Sequence, residues 1–513
     1  MSKLSYWERR QVQNMYHYME KAENAADQIS KLYLKASRWA SLEAEEIFER
    51  YVTKHKLSEA EARRLLSNLQ DKTSIDEMLR KLKSGDYDGS KDELIAELES
   101  SAYRSRLERL KQLQNQLDYV MQNVYNQEKL VSTSHYVDLA NEAYYRTIYD
   151  MQQRTQAAFS FQHIDSGEID KVINSKWSGK NYSSRIWNNT RALAQAVKEE
   201  LLISLVTGRS EKQISDILAN KFAQGSSVSR RLVRTESAYL SAELNFKAYQ
   251  EMDVNEYQFL ATLDLKTSEI CRKMDLMIFN VKDRKIGVNC PPMHPWCRST
   301  TVPVVDRKYL EGKQRAARDP ITGKTIYVPG DMTYDEWYAK YVKGKSEAEL
   351  SEKKTKNKSS DRKQYDRYRE VLGEDVPKTF AKFQDMKYNN GEKFAQLGRQ
   401  YKTFNSIDKK EWSDEFKSKA KETYQEFLSK GVEMSTHGLA RFLSRNSGNQ
   451  VTAPYTLDDI VEQHNKLINY VQSDGKFVRF YDNRALVTSQ ETGEVVTIVN
   501  RKHIKVDWSE YIE

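Results

Sequence analysis

The first proline in this chain is Pro291. A proline inside a helix costs about 3 kcal/mol, because it lacks the N–H and its ring collides with the preceding turn. So long a span without one predicts a mostly helical first half. Hydrophobic spacing agrees. Ala22, Ala25, Ile29, Leu32, Ala36 and Trp39 step by threes and fours, and Leu107, Leu110, Leu113, Leu117, Val120 and Val124 do nearly the same. These are apolar seams on long helices, and bundle packing accounts for them without a ligand. Ser58 to Glu61 has capping-box spacing, and Gly208 followed by Ser210 to Gln213 reads as a helix stop and a fresh capped start. Helices are expected to continue from about Lys171 to Tyr249.

Near Glu256 the texture changes. Tyr257 to Leu263 and Met277 to Val281 read as strands, and turn residues with prolines follow up to Pro329. Residues 344–362 are almost free of bulky apolar groups, which predicts a solvated linker or an exposed helix. Beyond 431 the pattern is two helices, then strands at Lys476 to Tyr481, Ala485 to Gln490 and Val495 to Asn500, with turns at Asp482-Asn483 and Glu491 to Glu494. The expected fold is mainly α with α+β parts. It divides into a long-helix N-terminal region over 1–165, a central α+β domain over 166–343, a charged linker over 344–362, a helical segment over 363–430 and a small helix-plus-antiparallel-sheet domain over 431–513.

Charged residues make up 30% of the chain, above the usual quarter or so, so the surface is large relative to the core. Net charge is +8, because 82 basic residues are offset by 74 acidic ones; contact with RNA or packaged DNA is permitted but not demanded. No apolar run approaches the roughly 18 residues that cross a membrane. The N-terminus has no apolar stretch after its basic residue, so no signal peptide is expected and a reducing cytoplasm is the expected setting.

All three cysteines fall in one window, as Cys271, Cys290 and Cys297, with His294 among them. Thiolates and a neutral imidazole suit a tetrahedral structural zinc, and these four residues would make a Cys3His set. A tight Cys-x-x-Cys pair is missing, however. The second reading stays open: the prolines lock a packed turn and the cysteines are small buried hydrophobes.

Around this window the chain resembles the phage head morphogenesis family, the Mu F-like minor capsid proteins. The resemblance is carried by Arg234-Thr235-Glu236 after Val233, by Asp264 and Thr267 with Cys271 following, and by Pro291-Pro292-x-His294-Pro-x-Cys297-Arg298. Further segments similar to the version in phages of Gram-positive bacteria are Trp177 to Trp187, Gln364 to Gly373 and Pro377 to Lys387. Many family members carry a Cys-x-x-Cys in the first part of the motif, where Ser268 stands here. The resemblance implies that 166–343 is a head-morphogenesis domain. It also implies a virion protein of the capsid interior or portal vertex, made in the bacterial host cytoplasm, with portal protein and capsid or scaffold protein as partners. Arg234 and Glu236 are expected to form a structural ion pair.

In the last domain His437, Arg441 and Arg445 recur every four residues, so they share one helix face. An imidazole with two guanidiniums suits a phosphate: histidine moves protons near neutral pH and arginine grips phosphate with paired hydrogen bonds. This helix ahead of an antiparallel sheet resembles the barnase–EndoU–colicin–RelE-like nucleases. The resemblance implies a metal-independent ribonuclease with His437 as general acid or base and Arg441 and Arg445 on the phosphate. Tyr481, Thr497 and Asn500 are strand candidates, His503 a second proton donor, and His464 is expected to face solvent. A nucleic-acid-binding module without catalysis, or a merely solvated basic face, stays open beside it. Two functions from different classes follow: a structural minor head protein, or a phage-delivered nuclease toxin for which the head domain is the packaging module.

Overall fold

The structure is a computed structural model describing residues 6–49, 56–84, 92–155, 158, 160–304, 314–446 and 455–511. It is mainly α with α+β parts. Two compact units divide it, Met1–Ala348 and Glu349–Glu513.

Unit 1 opens with helices α1 (Tyr6–Phe48), α2 (Glu59–Ser67), α3 (Ile75–Lys83), α4 (Asp92–Glu99), α5 (Ser101–Thr155), α6 (Ser166–Ile173), α7 (Tyr182–Thr207) and α8 (Glu211–Glu251). Strand β1 (Glu256–Leu260), helix α9 (Glu269–Met274), strands β2 (Ile278–Asn280), β3 (Thr300–Val304), β4 (Gln314–Arg318) and β5 (Thr325–Pro329), and helix α10 (Tyr334–Tyr341) follow. The capping signals do what their spacing predicts. Ser58 and Glu61 cap α2 reciprocally, as Ser210 and Gln213 cap α8. Gly208 closes α7 in the left-handed region, φ 62°, where a Cβ is unfavourable.

The long helices α1, α5, α7 and α8 pack together around one core that runs from Met15 to Cys290. Each large side chain so buried contributes about 1.5–3 kcal/mol. Gly225 of α8 sets the approach: a Cβ there would stand 2.7 Å from Leu193 Cδ2 and 3.0 Å from Tyr33 Cε1. The expected division at 165/166 therefore passes through a single core, because the N-terminal helices bury their apolar faces against α8 rather than against one another alone. The antiparallel sheet order is β2-β1-β3, with Tyr257 opposite both Phe279 and Pro303. Strands β4 and β5 form a separate hairpin.

Helix α11 (Ser346–Lys356) crosses the division between the units. Unit 2 then holds α12 (Lys358–Leu372), α13 (Phe380–Asn389), α14 (Gly391–Asp408), α15 (Asp414–Ser429), α16 (Thr436–Asn446) and α17 (Leu457–His464). After these come β6 (Tyr470–Gln472), β7 (Phe477–Tyr481), β8 (Arg484–Thr488), β9 (Val495–Asn500) and β10 (Trp508–Glu510), antiparallel in the order β10-β6-β7-β8-β9. The stretch 344–362, expected as a solvated linker or an exposed helix, is helical, though not exposed throughout. Its Asp361 is fully buried, accepting from Gln384 at 2.9 Å, Lys387 at 2.7 Å and Tyr388 at 3.0 Å. Those bonds compensate the carboxylate's lost hydration. The division expected at 430/431 also vanishes: Phe383, Phe404 and Tyr424 share a core with Leu439, Leu486 and Ile498. Helix α16 lies close on β9 because Gly438 leaves room; a Cβ would meet the Val495 carbonyl at 2.7 Å.

Candidate functional site

The motif residues of unit 1 converge. Helix α8 carries Arg234, Thr235 and Glu236, and the loop before β3 carries Pro291 to Arg298. Thr235 Oγ1 accepts the Trp296 N–H at 3.3 Å, and the Arg234 guanidinium stands over the Trp296 ring at 5.3 Å. Trp296 holds φ 67°, a left-handed conformation for a bulky residue, which these contacts sustain. Arg234 and Glu236 do not pair with each other. Arg234 bonds Glu23 of α1, while Glu236 accepts the Trp177 indole N–H at 2.9 Å and stands 3.8 Å from Arg185 Nε. Successive helical residues point about 100° apart, so residues two apart in sequence face different neighbours. Burial pushes the Glu236 carboxyl up to about 7, against the opposing pull of Trp177 and Arg185. Trp177 stacks on Tyr239 with centroids 4.8 Å apart. Trp177, Arg185, Arg231, Glu236, Pro292 and His294 line a cavity of about 530 Å³.

The loop is fastened on its other side by Arg298, which grips Asp264 with both terminal guanidinium nitrogens. Burial alone would raise the Asp264 carboxyl, but Arg298 and the Lys266 N–H hold it below the ordinary carboxylate value. Thr267 Oγ1 adds a bond to Asp264 at 3.0 Å.

Beside this fastening, Cys271, His294 and Cys297 bring their donor atoms within 4.8 Å of one another. Cys271 Sγ lies 3.8 Å from Cys297 Sγ and 3.4 Å from His294 Nε2. His294 Nδ1 is 2.7 Å from the Pro295 carbonyl, which places the ring proton there and turns the Nε2 lone pair to the thiols. The hydrogen bond between the sulfurs raises Cys271 and holds Cys297 down to about 6. Two sulfurs each about 2.3 Å from a tetrahedral zinc stand roughly 3.8 Å apart, so the spacing fits. Cys290 does not join them. It is buried in the main helical core, its thiol pushed up to about 12 by burial, and donates to the Pro291 carbonyl at 3.4 Å. The fourth neighbour is Ser268, whose Oγ is 2.8 Å from His294 Nε2 and caps α9. The structure thus brings together Cys271, His294 and Cys297 with the Ser268 hydroxyl, and leaves Cys290 out of the Cys3His set that spacing suggests.

In unit 2 the predicted residues are spread out. His437 and Arg441 are exposed on α16, and the Arg445 side chain lies outside the described residues. Helix α16 begins where the Ser435 N–H meets the Val495 carbonyl. Tyr481 is paired with Arg484, which is opposite Asn500. From Val495 to Asn500 is roughly 16 Å at about 3.3 Å per residue, so one phosphate does not span His437 and Tyr481. Tyr481 donates to the Leu467 carbonyl at 2.9 Å instead. Thr497 is half-buried opposite Val487, and Asn500 and His503 are exposed. His464, expected in solvent, is half-buried.

Residues 195–302, from mid-α7 into β3, match the family model described as Phage Mu protein F like protein. The match encloses the α8 motif and the Cys-His loop, and for this segment it supports the phage head morphogenesis family that the motifs resemble. A relative from Enterococcus faecalis (strain ATCC 700802 / V583), the NAD(+)--arginine ADP-ribosyltransferase EFV, is 25% identical over 271 residues, covering 48% of this chain. The similarity spans about half that relative's length, 52%. No solved structure matches. Among the described residues no helix is long and apolar enough to cross a membrane.

Proposed function

We propose that this chain is a minor head protein of a tailed bacteriophage, assembled in the host cytoplasm with portal and capsid or scaffold protein and retained in the virion at the portal vertex. The observation that supports this reading is the Mu F-like match over 195–302, which falls on the segment where both motifs lock together. Purified procapsids are the test. The chain co-sediments with portal protein in particles that lack DNA; its confinement to the host soluble fraction, with particles free of it, ends the proposal.

In a second reading the same chain carries an effector, with unit 1 as the packaging module and unit 2 as the cargo. Two observations favour it: unit 2 has its own core, and a relative over about half of this chain bears an enzyme's name. The cargo is a ribonuclease-like domain acting on RNA, and the relative's name adds NAD(+) as a second substrate to assay. RNA cleavage by the full chain in EDTA is the readout; intact RNA with folded protein removes the ribonuclease.

Zinc held by Cys271, His294 and Cys297 would tie α9 to the motif loop and so stabilise the face that carries the motifs. Elemental analysis of the full chain is expected to find one zinc per chain, lost in Cys297→Ser and kept in Cys290→Ser. Equal loss in both variants, or none bound at all, rejects this assignment.

A further inference from the structure

Arg479 is an arginine that unit 2 half-buries without a counter-charge. Its Nε donates to the Lys466 carbonyl at 2.8 Å, and its Nη1 donates to Thr488 Oγ1 at 3.1 Å. Thr488 is only 2% exposed, so its hydroxyl is held in place by packing. Burial lowers the Arg479 pKa, and the neighbour that offsets this is the Tyr481 phenol, not a carboxylate. Among the described residues no Asp or Glu forms an ion pair with it, whereas the strand neighbour Arg484 faces Asp459 at 3.6 Å. The Nη2 end of the guanidinium carries no hydrogen bond from the described residues and is not enclosed.

His464 is near enough to feel the Arg479 charge. It ends α17, and the Gly493 backbone and the Asn465 side chain lie close enough to favour its charged form. Burial, and then the Arg479 charge, push its pKa below the ordinary histidine value. The imidazole is therefore neutral at neutral pH, with one N–H donor and one acceptor nitrogen. Half-burying a guanidinium without a carboxylate is costly, and a fold tolerates it where an anion arrives to complete the site.

We propose that Arg479, Thr488 and His464 form a binding site for the phosphate group of a nucleotide, free or within an RNA strand. Arg479 presents Nη2, with the second hydrogen of Nη1, as a fork to two phosphate oxygens. Thr488 fixes the orientation of that fork, and His464 meets a third oxygen or the ester oxygen. The site rests on the effector reading of unit 2 and relocates its phosphate contact from the α16 face to β7, β8 and the end of α17.

The test uses the full chain in EDTA with two probes, a fluorescent single-stranded RNA oligonucleotide and AMP. Arg479→Met is expected to weaken binding at least about tenfold, as loss of a charge-assisted bond does. Thr488→Val weakens it less, and Arg441→Gln leaves it within about twofold. If Arg479→Met does not fold, Thr488→Val and His464→Gln decide, since both leave the Lys466 contact intact. Binding of AMP but not RNA supports the site and assigns it to free nucleotide. RNA bound but uncut supports the site and removes the ribonuclease. RNA cut equally well by the parent, Arg479→Met and Thr488→Val overturns the site and leaves catalysis to His437 and Arg441. Binding of neither probe, or binding that Arg479→Met leaves unchanged, overturns it as well.

Discussion

Asp275→Ala is expected to destabilise unit 1 by about 3–5 kcal/mol, the range for breaking a buried ion pair from one side. Asp275 and Arg315 have side chains 1% and 6% exposed. Asp275 Oδ1 accepts from the Ala261 N–H at 2.8 Å and Arg315 Nη2 at 2.9 Å; Oδ2 accepts from Arg315 Nη1 at 2.9 Å and the Tyr334 N–H at 3.0 Å. Arg315 also donates to the carbonyls of Ala261 and Met332. One carboxylate therefore ties the end of β1, the hairpin strand β4 and the start of α10 to the end of α9. Truncating it strands a guanidinium in the interior and orphans two backbone N–H groups. Helix α9 also carries Cys271, so the loss reaches the Cys-His cluster. Urea unfolding followed by a probe within unit 1 measures the effect, because two units need not unfold together. Arg315→Met made on top of Asp275→Ala recovers part of the loss, since it removes the unpaired charge. A double-mutant coupling below about 1 kcal/mol would show that the pair does not clamp these four elements.

What sequence can foresee follows from which interactions are local. The helices, their caps and the Asp482-Asn483 turn depend on neighbours a few residues away. Both turn residues adopt the positive φ that a two-residue hairpin needs, 50° and 61°. Strands β6 and β10 escape a sequence reading because each has three residues, too few to show alternation. The core shared by α1 and α8 depends on Tyr33 meeting Gly225 and Ser229, contacts across almost two hundred residues that no periodicity encodes. At the cluster, spacing puts four ligand residues in one window but does not say which way each points. The turn ahead of Pro291 sends Cys290 into the helical core while Cys271 and Cys297 face His294. On α16, His437 and Arg441 of the i, i+4 basic pattern are exposed. Arg479 is legible in principle: with Val478 buried on one side of the sheet, alternation puts Arg479 on the other, under α17.

Glu128→Gln is expected to be more favourable to the stability of unit 1 at pH 8 than at pH 4.5 by about 3–4 kcal/mol. Glu128 of α5 is fully buried and accepts the Tyr33 O–H at 2.7 Å, in a network with Ser229 of α8 and Asn189 of α7. Burial raises its pKa from 4.5 to about 7, more than its hydrogen bonds lower it. The folded state therefore holds a proton that the unfolded chain releases. Stability from this group is complete below about 4.5 and is lost as pH rises to about 7, with each pH unit in that window removing roughly 1.4 kcal/mol. Glu236, also raised to about 7, contributes with the same sign. His135 opposes both: burial lowers it from 6.5 to about 4, so its cost is felt as pH falls through that window. The parent's own pH profile thus mixes opposite slopes. Comparing Glu128→Gln with the parent at each pH cancels the Glu236 and His135 contributions and leaves one group. Glutamine keeps an oxygen for Tyr33 and removes the titration; its amide donors meet no partner at the buried Oε1 position, a cost that is the same at every pH and drops out of the comparison between pH 4.5 and pH 8. A stability difference that is the same at pH 4.5 and pH 8 would mean that Glu128 is ionised in the folded core, with a cation that the Tyr33–Ser229–Asn189 network does not supply.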